Sequence, residues 1–250
     1  MTISKQVKMH IKQLGLNEAQ VAALNEYEQL LLKWQKSINL IASSTVTEIW
    51  MRHIIDSAQL FKMLDRSSRK SLLDLGSGGG FPALVIAILD KHADADSEYG
   101  TDKLKVTCIE SVQKKSAFLK DVSRRLGLNI KVENTRIEQL AVQLYDEPSK
   151  GDEDASRETY GLNASGKFDF ITARAVANLD KLLGYCEPYF ARKTENNMVN
   201  VSTVFFLKGQ DIDKELTEAT KCWHIDYELT VSQTHQFGKI IKISDFGQIE

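Results

Sequence analysis

The segment LLDLGSGGGFP at 72–82 runs from an apolar stretch straight into glycines at 76, 78, 79 and 80. Gly76, Gly78 and Gly80 remove the Cβ atoms that would keep a ligand off the backbone. A helix starting at the adjoining proline then offers free N–H groups and positive potential to a carboxylate. That combination suits an amino-acid or nucleotide ligand, and the competing reading is a tight turn for packing alone. The spacing is GxGxG after Asp-Leu, and the next apolar run ends in Glu110. An acid at that place can accept both hydroxyls of a ribose, a role shared by sites for NAD and for S-adenosylmethionine. Glu110 leaves that choice open, beside the plainer reading of a solvated acid at a strand end.

Other chemistry-bearing residues fall at comparable places. Arg136, Arg174 and Lys208 each follow the end of a β-type run, which puts them on the edge that carries the glycine loop. Together they make an anionic-substrate site, and singly they are ordinary solvated cations. Lys114, Lys115, Lys120, Arg124 and Arg125 form a basic run that either reaches phosphates or is a solvated helix face. Arg52, His53 and Asp56 have spacings that place them on adjacent turns of one helix face. They either satisfy one another or supply a base, and no Ser or Cys elbow accompanies them to suggest hydrolysis.

The elements that must position these residues are legible in the periodicity. Residues 17–64 are helical in pattern, with Leu24, Tyr27, Leu31 and Trp34 on one face and Ile54, Ala58, Phe61 and Leu64 on another. Short β-type runs follow at 71–75, 105–110, 129–132, 168–173 and 201–207, separated by helical segments. Alternation of this kind predicts a mostly parallel sheet. Alternating residues up to Val231, a turn at 233–238 and a run at 239–243 predict a closing antiparallel pair, giving seven strands. A helical subdomain over 1–66 and an α/β domain over 67–250 are expected. Polar stretches at 90–103 and 146–167 read as inserted loops on the strands' N-terminal edge, opposite the crevice, and should tolerate deletion. The first of them accounts for the long offset from Gly76 to Glu110.

Composition bounds the rest. The 250 residues are 42% hydrophobic and 26% charged with three prolines, which suits one folded domain with a small accessory region. The longest apolar run, 83–89, is too short to span a bilayer, so a cytoplasmic protein is expected. Cys108, Cys186 and Cys222 have no CxxC spacing, so we expect no metal site or disulfide framework and assign each to core filling. The formal charge of −2 means that affinity for nucleic acid must come from a local patch.

Taken in order, LLKW at 31–34, INL at 38–40, MRHIIDS at 51–57 and the glycine segment form a pattern that continues through KK at 114–115, RIE at 136–138, TARA at 172–175 and FLKGQ at 206–210. The chain resembles the RsmG (glucose-inhibited division protein B) family over nearly its whole length. That resemblance implies a Rossmann-like class I methyltransferase, with S-adenosyl-L-methionine as cofactor and 16S rRNA or the small ribosomal subunit as partner. The implied product is 7-methylguanosine at guanosine 527 in the 530 loop. By the same resemblance Gly76 and Phe81 line the methionine and adenosine side, Ile137 and Glu138 hold the adenine, and Arg174 completes the cofactor pocket. Arg136, Lys208, His53 and Asp56 are implied near the reacting base, and Asn39, Arg52, Lys114 and Lys115 at the RNA. Ala83 stands where the family has glycine after Phe-Pro. A monomer without membrane or metal is expected. The alternatives are a small-metabolite methyltransferase, an NAD-dependent dehydrogenase and an rRNA-binding module without turnover.

Overall fold

A computed structural model describes residues 4–94, 104–146, 158–192 and 201–249. The seven strands are β1 (Lys70–Leu75), β2 (Leu104–Ile109), β3 (Ile130–Glu133), β4 (Phe170–Arg174), β5 (Thr203–Lys208), β6 (Trp223–Val231) and β7 (Lys239–Gln248), in the order β3-β2-β1-β4-β5-β7-β6. The first five pair in parallel, and β7 runs antiparallel between β5 and β6. Strand order reverses between β1 and β4, and the carboxyl ends at such a switch point open a crevice for ligands. Because β7 is antiparallel, its first residue meets the end of β5, with Lys239 opposite Lys208. The turn that joins β6 to β7 therefore lies on the same edge as the glycine loop.

Side chains alternate across the sheet and feed two apolar layers. Leu72, Phe170, Phe205 and Ile240 face one layer; Leu73, Ile171, Phe206 and Ile241 face the other. The second layer is closed by α6 (Ile137–Ala141), α7 (Leu179–Cys186) and α8 (Ile212–Ala219). The first is covered by α4 (Ala83–Lys91), α5 (Gln113–Leu126) and the N-terminal helices α1 (Lys5–Leu14), α2 (Glu18–Gln35) and α3 (Asp56–Phe61). Helix α1 precedes the region whose periodicity reads as helical. Its Val7, His10 and Leu14 are buried at helical spacing while Lys5, Lys8 and Lys12 stay exposed, so three inward residues among ten leave little signal. Asn17 caps α2 through a reciprocal bond pair with Gln20, and its amide also donates to the His92 carbonyl at 2.8 Å. Ala83 is fully buried as the first residue of α4 and needs no left-handed backbone, so the replacement of glycine there is accommodated.

Two expectations need correction. Asp90 is not the start of an exposed insertion: it is 2% exposed in the last turn of α4, pairs with Arg66 at 3.2 Å and accepts the Leu104 N–H at 2.9 Å. A polar residue is retained there because it closes α4 onto the start of β2. Cys108 and Cys186 fill the core, whereas Cys222 is exposed after α8. The insertions themselves fall mostly outside the described residues. The described part of the second packs at the strands' N-terminal edge, where the Glu158 carbonyl accepts from Lys105, and Gly161 and Leu162 line a cavity with Lys70 and Asn129. The Tyr160 hydroxyl reaches across to Glu133, the last residue of β3, at 2.7 Å. Removing one partner of a buried ion pair costs about 3–5 kcal/mol. Asp90→Ala should therefore lower the unfolding free energy in urea by about that amount; a loss below about 0.5 kcal/mol, the usual range for surface substitutions, would contradict this placement.

Candidate functional site

The glycine loop is held from both sides. Gly76, Gly78 and Gly80 adopt φ of 68°, 54° and 88°, a region that side chains rarely enter. Their Cβ directions differ. At Gly76 a Cβ would lie 2.9 Å from Val176, at Gly80 it would lie 2.3 Å from Leu84, and at Gly78 it would meet only a backbone oxygen at 3.8 Å. Gly80 thus serves the packing of the loop on α4, and only Gly78 leaves open space. At Gly79 a Cβ would lie 3.1 Å from the Leu40 carbonyl, so the INL segment packs directly on the loop. Tyr27, fully buried on α2, donates its hydroxyl to the Gly79 carbonyl.

Glu110, at the end of β2, is 6% exposed and turned back to the loop. Its carboxylate accepts the Gly78 N–H at 2.9 Å and the Val112 N–H at 2.8 Å. Both oxygens are thereby fixed in place, and each keeps a second lone pair. Glu110, Gly76, Arg136, Ile137, Glu138, Val176, Ala177, Lys181 and Tyr185 line a cavity of about 230 Å³ with Ser111 and Thr135. Asp74, two residues before Gly76, is fully buried and accepts the Thr172 hydroxyl at 2.7 Å, tying β1 to β4. Burial pushes its carboxyl up to about 7.

A second cavity, of about 450 Å³, opens beside the first at the ends of β4 and β5; Ala177 lines both. Arg52, Asp56, Arg174 and Lys208 face it, together with Gln210 and the β6–β7 turn residues Thr234, His235, Phe237 and Lys239. Four cations there, Arg52, Arg174, Lys208 and Lys239, outnumber the carboxylates of Asp56, Asp211 and Glu215. Lys208 is held by Glu215 at 2.5 Å and by the Ala177 carbonyl at 2.9 Å. Arg174 donates to the Arg52 carbonyl at 2.8 Å and to His53 Nδ1 at 2.6 Å, and lies 3.8 Å from Asp56 Oδ2. Asp56 Oδ1 in turn accepts the hydroxyls of Ser232 and Thr234, each at 2.9 Å.

Residues 50–55 form a π-helical turn that leads into α3. Arg52 and Asp56 reach the larger cavity, while His53 is turned inward, 7% exposed and stacked on Phe81 with ring centroids 4.9 Å apart. Arg52 and Asp56 are four residues apart and can share a face, whereas the consecutive Arg52 and His53 cannot.

Several residues therefore sit elsewhere than the sequence suggests. His53 cannot act as a base: Nδ1 accepts from Arg174, so Nε2 carries the proton toward Thr45 Oγ1 at 2.8 Å. Burial, followed by the charges of Arg174 and Arg52, lowers its pKa to about 3. The Phe81 ring lines neither cavity; it is packed between His53 and Tyr27, whose ring centroid is 5.5 Å away. Arg174 lies in the larger cavity rather than with Glu110, because the helical segment grips it there, and Arg136 lies in the smaller one rather than with Lys208, because β3 and β5 are separated by three strands. Asn39 and Lys114 are exposed, Lys115 is half-buried, and none of the three lines a cavity. Arg124 and Arg125 both pair with Asp121, which fits the solvated-face reading of that end of α5. The turn at 234–239 does not stand out as a site from its residues. Its signal is topological, since a strand returning antiparallel to β5 must begin beside Lys208. Among the described residues no group of three or more His, Cys, Asp or Glu could hold a metal, and no helix is long and apolar enough to cross a membrane.

A seven-stranded α/β sheet with a glycine loop at its switch point and an acid after β2 is the Rossmann-like methyltransferase fold. A Bacillus cereus O-methyltransferase solved in complex with SAH shares it, with a TM-score of 0.50 at 11% identity over 96% of this chain and 97% of that one. The family model for rRNA small subunit methyltransferase G (GidB) matches residues 20–241, and the chain belongs to that family. Its relatives include the ribosomal RNA small subunit methyltransferase G of Parvibaculum lavamentivorans, 37% identical over 88% of this chain and 80% of the relative. That of Caulobacter vibrioides is 33% identical over 94% of this chain and 90% of the relative.

The buried histidine gives a direct check on this geometry. Its folded pKa lies below the unfolded value of 6.5, so its contribution to stability is complete above 6.5 and is lost as pH falls from there toward about 3. In an NMR titration the His53 imidazole should stay neutral from pH 8 down to the acid limit of the fold. A midpoint near its ordinary value of 6.5 would mean that the ring is neither buried nor held against Arg174 as described.

Proposed function

We propose that this chain transfers the methyl group of S-adenosyl-L-methionine to N7 of a guanosine in the 530 loop of 16S rRNA, within the cytoplasm. The observation that carries this reading is the pair of adjoining cavities on one sheet edge: one is bordered by the glycine loop and Glu110, the other by an excess of cations. The smaller cavity fits the cofactor chemically. Ile137 and Val176 give it apolar walls, Glu110 and Glu138 bring carboxylates, and Gly76 lets a ligand approach the backbone of the loop. Glu110 would accept the ribose hydroxyls with its remaining lone pairs, and Ile137 with Glu138 would hold the adenine. When bound, the cofactor supplies a methyl group on a positively charged sulfur.

The residues of the larger cavity have a different task. Guanine N7 presents a lone pair on the major-groove edge, so its methylation requires no prior removal of a proton. A neutral, fully bonded His53 is consistent with that chemistry, since no general base is demanded of the helical segment. The site must instead take the base out of its stack, align N7 and hold the backbone phosphates. Arg52, Arg174, Lys208 and Lys239 suit phosphates rather than the ring, because the methylated base is itself cationic. Asp56 and Glu215 offset two of those charges and fix their direction.

The test is methylation in vitro of small-subunit rRNA that lacks its 7-methylguanosine, read by borohydride reduction and aniline cleavage. Cleavage at one guanosine of the 530 loop, dependent on both enzyme and S-adenosylmethionine, is expected. Absence of cleavage on free RNA and on subunits alike would overturn the RNA assignment and leave a small metabolite as the acceptor.

A further inference from the structure

The β6–β7 turn exposes an aromatic side chain at the rim of the cationic cavity. Phe237 is 49% exposed, and its ring centroid lies 5.6 Å from that of His235, tilted by 58°. Both residues line the larger cavity with Arg52, Arg174 and Lys239. About half of this apolar residue is left in water, and the cavity residues around it include the cations Arg52, Arg174 and Lys239.

The turn itself is held firmly. The Ser232 N–H donates to the Gly238 carbonyl at 2.9 Å and the Gly238 N–H to the His235 carbonyl at 2.9 Å. Thr234 and Ser232 bond Asp56, and the Gln233 N–H donates to Gln59 Oε1 at 2.8 Å. Gly238 has no room for a side chain, since a Cβ there would lie 2.9 Å from the Ser232 Cβ. The Phe237 N–H donates to His235 Nδ1 at 3.3 Å. Phe237 is thus presented by a fixed backbone at the mouth of the site.

We propose that Phe237, flanked by His235, is a stacking platform for an unpaired base of the RNA at the mouth of the larger cavity. The proposal rests on the RNA-methyltransferase reading. A flat apolar face among cations matches the chemistry of a nucleobase on a phosphate backbone, whereas a small metabolite enclosed in the cavity has no use for an aromatic ring on the rim. Extruding a guanine from a loop leaves its neighbours unstacked, and an aromatic side chain offsets that loss. Stacking tolerates any base, so the platform holds the opened loop while the cavity selects the guanine.

The experiment compares the wild-type protein with Phe237→Ala, Phe237→Leu and Phe237→Trp in steady-state methylation of small-subunit rRNA lacking the modification. Phe237→Ala should raise the KM for RNA by roughly 5- to 150-fold, the range for loss of one stacked base. The affinity for S-adenosylmethionine and the thermal midpoint should not change, because the ring lies outside the smaller cavity and the core. Phe237→Trp should restore the KM and Phe237→Leu should not, a distinction that a merely space-filling role would not produce. An active wild-type enzyme with an unchanged KM in Phe237→Ala, or equal rescue by leucine and tryptophan, would overturn the platform alone. A wild-type enzyme that methylates no RNA would overturn the platform together with the reading it rests on.

Discussion

The guanidinium of Arg174 is the contact on which the site's arrangement depends. It leaves the sheet at the end of β4 and is gripped by three groups of the N-terminal helical segment: the Arg52 carbonyl, the His53 ring and the Asp56 carboxylate. Its charge centre also lies 5.6 Å from the Phe81 ring, which continues the glycine loop. One side chain therefore joins the sheet, the loop and the helical cover. Its burial lowers the stability of its charge, an effect that Asp56 opposes. Such a node is maintained only when every partner is in place, because an unpaired buried cation is costly.

The consequences spread through Asp56. The same carboxylate that faces Arg174 takes two hydroxyls from the β6–β7 turn, so the turn is located by the helical segment rather than by its own strands alone. The sheet topology makes this reach possible. Only because β7 lies antiparallel between β5 and β6 does its start meet the end of β5 on the ligand-binding edge. The two cavities then adjoin at Ala177, in the segment that follows Ala175, whose φ of 55° is uncommon for a residue with a side chain. Strain of that kind at a site wall fits a segment shaped by function rather than by folding alone.

Much of this is legible in the residues alone. Runs of β type mark all seven strands, because four of the five parallel ones are buried, β3 is half-buried at the sheet edge and the closing pair alternates apolar with polar residues. The glycine loop stands out by a density of glycine that packing seldom demands. Glu110 is legible for a related reason: it ends a buried strand. The features that escape are those in which position along the chain misstates direction in space. His53 reads as a helix-face residue beside Arg52 and Asp56, yet as the neighbour of Arg52 in the chain it points inward onto Phe81. Arg174 and Arg136 both follow strand ends, and only the order β3-β2-β1-β4-β5 separates the cavities that they enter. Asp90 reads as the first residue of a polar loop, and its burial follows from one ion pair that no local pattern encodes. The aromatic turn residues carry no period at all, so their place becomes visible only through strand pairing.

The fork of Arg174, and not merely a positive charge at that point, assembles the site. Replacement by lysine keeps the charge but removes the planar fork whose Nη2 bonds both His53 and the Arg52 carbonyl while Nη1 faces Asp56 at 3.8 Å. The most direct measurement is the rate of RNA methylation by Arg174→Lys. The expected loss is about tenfold or more, the equivalent of about 1.4 kcal/mol of transition-state stabilisation, in a protein that still folds. A rate within about twofold of wild type, below about 0.5 kcal/mol, would show that the fork does not organise the site.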